Sequence, residues 1–218
     1  MTLSRCAAAV AVVVLAATGC GAKTPDYQSV WSTSATTTTT TTADAAPVPI
    51  AQFLEDKGVK GDPVAPQQLA GLTVTMPQPK GWTQYNNPNM APGTQMIAKN
   101  DTYPTAMLLV FKLTGDFDVN EAIKHGPADA QLSQNFKQLN ASTDNWHGFP
   151  SSMIEGSYDL NGRRMHSYNR IVIPTTAPPA NQRYLVQFTV TGYAEKAAEE
   201  APDIEAVIAG FDVKVPPK

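Results

Sequence analysis

The chain has 218 residues and two cysteines, Cys6 and Cys20, with none further on. Everything after Cys20 is therefore without thiols. A cysteine nucleophile, a Cys-ligated zinc and an internal disulfide are excluded there, so the fold must stand on packing alone. An excess of positive charge is also missing. The formal net charge is -3, and loss of Arg5 with a leader segment would make it more negative. That argues against a nucleic-acid surface. No apolar run is long enough to cross a membrane: Cys6 to Ala17 is uncharged but too short for a bilayer core of about 30 Å. Signatures of catalysis are missing too, with no Gly-x-Ser-x-Gly elbow, no phosphate-binding Walker loop and no His-Glu-x-x-His. His125, His147 and His166 stand apart in sequence, without metal-ligand spacing. Neither catalytic residues nor a metal nor a cofactor is expected.

The short apolar run leads into Ala17-Thr18-Gly19-Cys20. The small residues before the cysteine leave room for a peptidase, and the pattern resembles the bacterial lipobox, with Ala17 where leucine is preferred. It predicts a signal peptide over 1–19 and lipidation of Cys20. Two acyl chains on one residue give stable membrane attachment. A linker over 20–46 follows, rich in Thr, Ser and Ala, with an unbroken threonine run from Thr36 to Thr42. Few of these side chains can bury apolar area, so disorder is expected. A flexible linker of this length spans about 28 Å r.m.s..

The remainder, 47–218, is the size of one domain. Ile50, Phe53 and Leu54 share a helical face, and Gly58 can stop that helix. Leu72, Val74 and Met76 alternate with threonines as a strand does. Thr94 to Lys99 reads as a weaker strand. Thr105 to Leu113 is apolar on both parities, as in a strand covered on both faces. Asp118 is a candidate N-cap with Glu121 three residues on. A helix to about Lys124 and a second from Ala128 to about Leu139 are expected, separated by Gly126-Pro127. Arg183 to Tyr193 is another strand, and Glu195 to Gly210 the last helix, with Ile204, Val207 and Ile208 inward. The fold class is α+β: an antiparallel sheet of about six strands flanked by helices.

Ser152 to Leu160 and Arg163 to Pro174 flank Asn161-Gly162, the pair that a type I′ hairpin turn demands. The turn sets Leu160 opposite Arg163, Asp159 opposite Arg164 and Glu155 opposite Tyr168. Apart from Arg5, every arginine lies between Arg163 and Arg183. Arg164, His166, Tyr168 and Arg170 share one face. Guanidinium and phenol groups suit the hydroxyls, carboxylates or phosphates of a polar head group. An internal ion pair of Asp159 with Arg164 is the competing use of the same residues. Trp82 and Trp146 are further candidates, either lining a sugar or lipid pocket or plugging the core.

Several stretches carry a family resemblance. They are Gln95-Met96-Ile97-Ala98-Lys99, Tyr103-Pro104-Thr105-Ala106-Met107, Phe149-Pro150-Ser151-Ser152-Met153, Gly156-Ser157-Tyr158-Asp159-Leu160 and Arg183-Tyr184-Leu185-Val186-Gln187. Together with the lipobox, the Thr-rich linker and the closing Asp203 to Phe211 segment, they make the whole chain resemble the mycobacterial LpqN/LpqT lipoprotein family. That family is similar in fold to the PsbP/Mog1 group. Val74-Thr75-Met76-Pro77 running to Gly81-Trp82, and the ending Gly210-Phe211-Asp212-Val213, match that group's opening and close. The resemblance implies a lipid-anchored protein on the extracytoplasmic side of the cell membrane, without established catalytic residues. It implies a part in envelope glycolipid traffic, trehalose mycolates included. Its expected partners are the membrane, an envelope glycolipid or proteins of glycolipid export, and no nucleic acid. A tethered protein-interaction module is the alternative.

Overall fold

The computed structural model describes residues 46–216 other than 101. The signal peptide, Cys20 and all but the end of the linker therefore lie outside the described residues. Four α-helices and ten strands follow one another: α1 (Ile50–Asp56), β1 (Lys60–Pro63), β2 (Thr73–Thr75), β3 (Trp82–Gln84), β4 (Gln95–Lys99), β5 (Thr105–Thr114), α2 (Val119–Lys124), α3 (Ala128–Gln131), β6 (Lys137–Ser142), β7 (Ser151–Leu160), β8 (Arg163–Val172), β9 (Tyr184–Tyr193), α4 (Ala197–Ala209) and β10 (Asp212–Lys214).

One antiparallel sheet of eight strands dominates, in the order β3-β4-β5-β9-β8-β7-β6. The outer edge of β5 is shared end to end: β4 pairs with Thr105 to Leu108, and β1 with Phe111 to Thr114. A separate ribbon joins β2 to β10. The α+β class stands, with more strands than the six expected. Of the additional ones, β1, β3 and β10 are three or four residues long, too short to show a period, and β6 lies where a helix is expected.

The two-sided apolar character of β5 is explained by two cores. On one face Leu108, Val110, Phe188 and Val190 pack under α4 with Ile204, Val207 and Phe211. On the other, Leu109, Phe111 and Leu185 pack under α1 and α2 with Ile50, Leu54 and Ile123. The stop after α1 is built as its sequence suggests. Gly58 takes φ 74°, its N–H donates to Glu55 O at 2.8 Å, and the Val59 N–H donates to Leu54 O at 2.9 Å. Leu54 and Val59 are both buried in the same core, completing this helix-ending motif. Asp118 caps α2, accepting from the Asn120 and Glu121 N–H groups. Glu121 turns instead to Lys124.

The helix expected from Ala128 to Leu139 is corrected: α3 ends at Gln131, and Lys137 to Ser142 is strand β6 on the sheet edge. Asn135 turns the chain at φ 52°. The missing side chain of Gly156 on β7 leaves a seat for the Phe136 ring, since a Cβ there would lie 2.5 Å from it. Pairing with β7 outweighs helix propensity. Leu132 and Leu139, expected inside, are exposed.

A cavity between the last helix and the hairpin

The hairpin forms in the expected register, with Asp159 opposite Arg164 and Glu155 opposite Tyr168. Asn161 and Gly162 turn it at φ 50° and 74°. Alternation then places Glu155, His166, Tyr168 and Arg170 on the face that α4 covers.

Most of these polar groups serve one another. Arg164 donates to Asp159 Oδ1 at 3.0 Å, to Asn135 O at 2.9 Å, and to Ser157 O and Oγ at 2.9 and 2.7 Å. Asn135 also donates to Asp159 at 2.7 Å. The bonds from Asn135 and Arg164 hold the Asp159 carboxyl below the usual carboxylate range. Arg170 is buried; its Nε donates to Tyr168 Oη at 2.7 Å and a terminal nitrogen to Ser151 Oγ at 3.1 Å. Its guanidinium lies 4.1 Å from the Trp146 ring centroid. Burial pushes the Tyr168 phenol up. These bonds brace the hairpin from within.

Trp146 stacks between neighbours, its ring 4.6 Å from His147 and 6.0 Å from Phe211. Trp82 is buried in the α4-side core, on a strand separated from β8 by β4, β5 and β9. The structure therefore does not bring Trp82 to the hairpin cluster, and both indoles act in packing.

What remains is His166 with Glu155, the imidazole Nε2 3.0 Å from the carboxylate. They border an enclosed cavity of about 120 Å³, together with Tyr168, Val190 and Gly192 of the sheet. The helix side is Ala197, Ala201, Ile204, Glu205 and Ile208. Two alanines and a glycine stand where large side chains would close the gap. That is the one signal the sequence offered: Ala197 and Ala201 share the inner face of α4 with Ile204 and Ile208. Nearby, Glu200 is buried with Oε2 unpartnered among the described residues. A Cβ on Gly192 would come within 3.1 Å of that oxygen. Burial pushes the Glu200 carboxyl up. Among the described residues, no group of three or more His, Asp or Glu side chains is placed to hold a metal.

A second, open groove of about 720 Å³ runs along residues 209–215, with His147 and Phe149 on its wall. His147 Nδ1 lies 2.7 Å from Asp212 Oδ1, and Asp212 also pairs with Lys214. Burial pulls the Asp212 carboxyl up, but the bonds to Lys214 and His147 outweigh it and hold it low.

Residues 46–214 match the protein family described as "Probable lipoprotein LpqN". The lipoprotein LpqT of Mycobacterium tuberculosis H37Rv is 58% identical over 207 residues, which is 95% of this chain and 92% of that protein. Among solved structures, the crystal structure of LpqN, described as involved in cell envelope biogenesis of Mycobacterium tuberculosis, superposes with TM-score 0.65. It is 20% identical and covers 78% of this chain and 98% of that one. Cyanobacterial PsbP from Synechocystis sp. PCC 6803 matches more distantly, with TM-score 0.41 and 12% identity over 67% of this chain and 94% of that one. A family match that runs from the foot of the linker through β10, with a relative alike along nearly its whole length, leads to one conclusion: this chain belongs to the LpqN lipoprotein family.

Proposed function

We propose that the protein is a lipid-anchored accessory protein of the cell envelope that binds its ligand without transforming it. In this reading Cys20 carries the diacylglyceryl anchor, and the threonine-rich linker lets the domain search the extracytoplasmic membrane face. The ligand class is an envelope glycolipid, trehalose mycolates included. The observation that carries the reading is the cavity under α4: an apolar chamber whose open polar groups are the Glu155–His166 pair and Glu205. Its volume of about 120 Å³ equals roughly four waters of liquid volume. That suits the end of one acyl chain, with sugar hydroxyls against the imidazole and carboxylate. Clefts that enclose whole ligands run to about 300–1,000 Å³, so the rest of the glycolipid lies outside or displaces α4. The helix is tied to the sheet by the Lys99–Asp203 pair at the end of β4 and by Ile204 and Val207 in the core, so such a displacement has to break the pair and shift those two side chains.

Native mass spectrometry of the full chain exposed to mycobacterial envelope glycolipids tests this. A retained glycolipid is expected for the parent and a loss of at least about tenfold for Ala201→Leu, which fills the chamber, at an unchanged melting temperature. No adduct with any glycolipid fraction would overturn it. Conversion of the glycolipid that stops with His166→Ala would make the protein an enzyme instead.

One observation favours the alternative of a tethered protein-interaction module. Strand β6 is an outer edge of the sheet, and Leu139 at its bulge is 65% exposed. Sheet edges of this kind accept a partner's strand. Specific cross-linking at Leu139 to a protein of glycolipid export, with no glycolipid bound, would move the function there.

A further inference from the structure

The open groove beside β10 differs in kind from the chamber under α4. All three residues of β10, Asp212, Val213 and Lys214, line it, neighbours in sequence as well as alternate ones, with Ala209 to Phe211 before the strand and Val215 after it. A strand seen from its face shows every second residue; a strand seen along its free edge shows all of them. Strand β10 pairs with β2 on one side. Among the described residues, no backbone hydrogen bond outside that pair reaches 212–215. The N–H and C=O groups that β10 directs away from β2 thus have no backbone partner among the described residues and face an open trough, the arrangement that accepts one more strand.

The sequence of β10 says which strand fits. Asp212 and Lys214 carry opposite charges on either side of the buried Val213; within one chain they pair with each other at the surface, and a second copy exchanges that pair for two across the ladder. Two copies running antiparallel about a two-fold axis at Val213 place each Asp212 opposite the other copy's Lys214. The axis at Asp212 would set carboxylate against carboxylate, and at Lys214 ammonium against ammonium. Both are unfavourable directly across a ladder. Pro216 cannot donate to a ladder and ends the pairing just beyond Val215. Charge and proline together leave one register.

We infer that two copies of this chain associate through their β10 edges, forming a four-stranded ribbon β2-β10-β10-β2 with Asp212–Lys214 pairs on both sides of the axis. The contact is three residues long, well under the surface of an obligate dimer. It is a weak association, made effective by confinement of both copies to one membrane.

The charge pattern supplies its own test. The full chain is purified in detergent, and its oligomeric state is read by native mass spectrometry over a concentration series. Lys214 is exposed, and Lys214→Asp sets like charges opposite each other at both ends of the pairing; dimer formation should weaken at least about tenfold with the melting temperature unchanged. Asp212→Lys alone should weaken it as well. A mixture of the two variants, one of them isotope-labelled, should restore the dimer as a heterodimer, because every pair is then of opposite charge. Since Asp212 also holds His147, this mixture separates lost pairing from local disturbance. A parent that stays monomeric throughout, a Lys214→Asp variant that dimerises as well as the parent, or a mixture that forms no heterodimer would each overturn the inference.

Discussion

Asp129, in the short helix α3, has a side-chain oxygen shut away from solvent with no hydrogen-bond partner among the described residues. Burial raises its pKa to about 6 from an ordinary 3.8. The folded state therefore holds this proton more tightly than the unfolded chain does. Stability should climb as pH falls through about 6 and level off below about 4. Asp129→Asn removes that dependence. Thermal unfolding of the two proteins should show the variant more stable near neutral pH, by on the order of 2 kcal/mol, and no gap below about pH 4. A gap that does not change with pH would mean that the folded and unfolded chains hold the Asp129 proton equally, and a variant less stable than the parent near neutral pH would mean that Asp129 is ionised and paired in the folded state. The hairpin arginines make the opposite case. Their donors are spent on neighbouring carbonyls, hydroxyls and Asp159, and the residue types alone could not say so. Arginine on an exposed-looking strand face suits a ligand head group and an internal brace equally well. Only the positions of Asn135, Ser151 and Ser157 decide.

At the scale of elements, the β6 edge depends on one absent side chain. A Cβ on Gly156 would fall 2.5 Å from the Phe136 ring and 2.7 Å from the Lys137 carbonyl oxygen. Gly156→Val should expel that ring and release β6 from β7, at a cost of about 1–3 kcal/mol typical of overpacking. Hydrogen exchange should show lost protection over Lys137 to Ser142, while β8 and β9 keep theirs. The same glycine explains why this segment misled. Ala130, Leu132, Phe136 and Leu139 have helical spacing, and nothing local reveals that a flat seat waits for Phe136 on a strand twenty residues later. The hairpin was legible because its determinants are adjacent: Asn161-Gly162 sets the turn, and the turn sets every cross-strand pair. The long β5 strand was legible because burial on both faces writes itself into both parities. Short strands such as β1, β3 and β10 carry no period of their own and exist through their partners.

For the whole molecule, the sheet separates two cores that carry different duties. The α1–α2 side buries Ile50, Leu54 and Ile123 against the sheet. The α4 side holds the indole packing, the buried Glu200 and the small chamber. The helix covering it is held by Ile204 and Val207, buried in that core, and by the Lys99–Asp203 pair, while a ten-residue strand on either side of β9 fixes the floor. A broad sheet under a single covering helix suits a chamber that takes up the end of an apolar group. In the proposed function the tether determines where that happens, and the inferred β10 pairing how many copies meet there. Neither role was readable from composition. The chamber exists because alanine and glycine from distant segments face each other, and the groove because β2 leaves one side of β10 open.

The binding claim is tested most directly by methyl NMR of the full chain in lipid nanodiscs, titrated with a trehalose glycolipid. Saturable shifts are expected in the methyls of Ala197, Ala201, Ile204, Ile208 and Val190, with those of Ile50, Leu54 and Ile123 across the sheet unmoved. Shifts confined to Leu132 and Leu139 at the β6 edge, or none at saturating glycolipid, would contradict it.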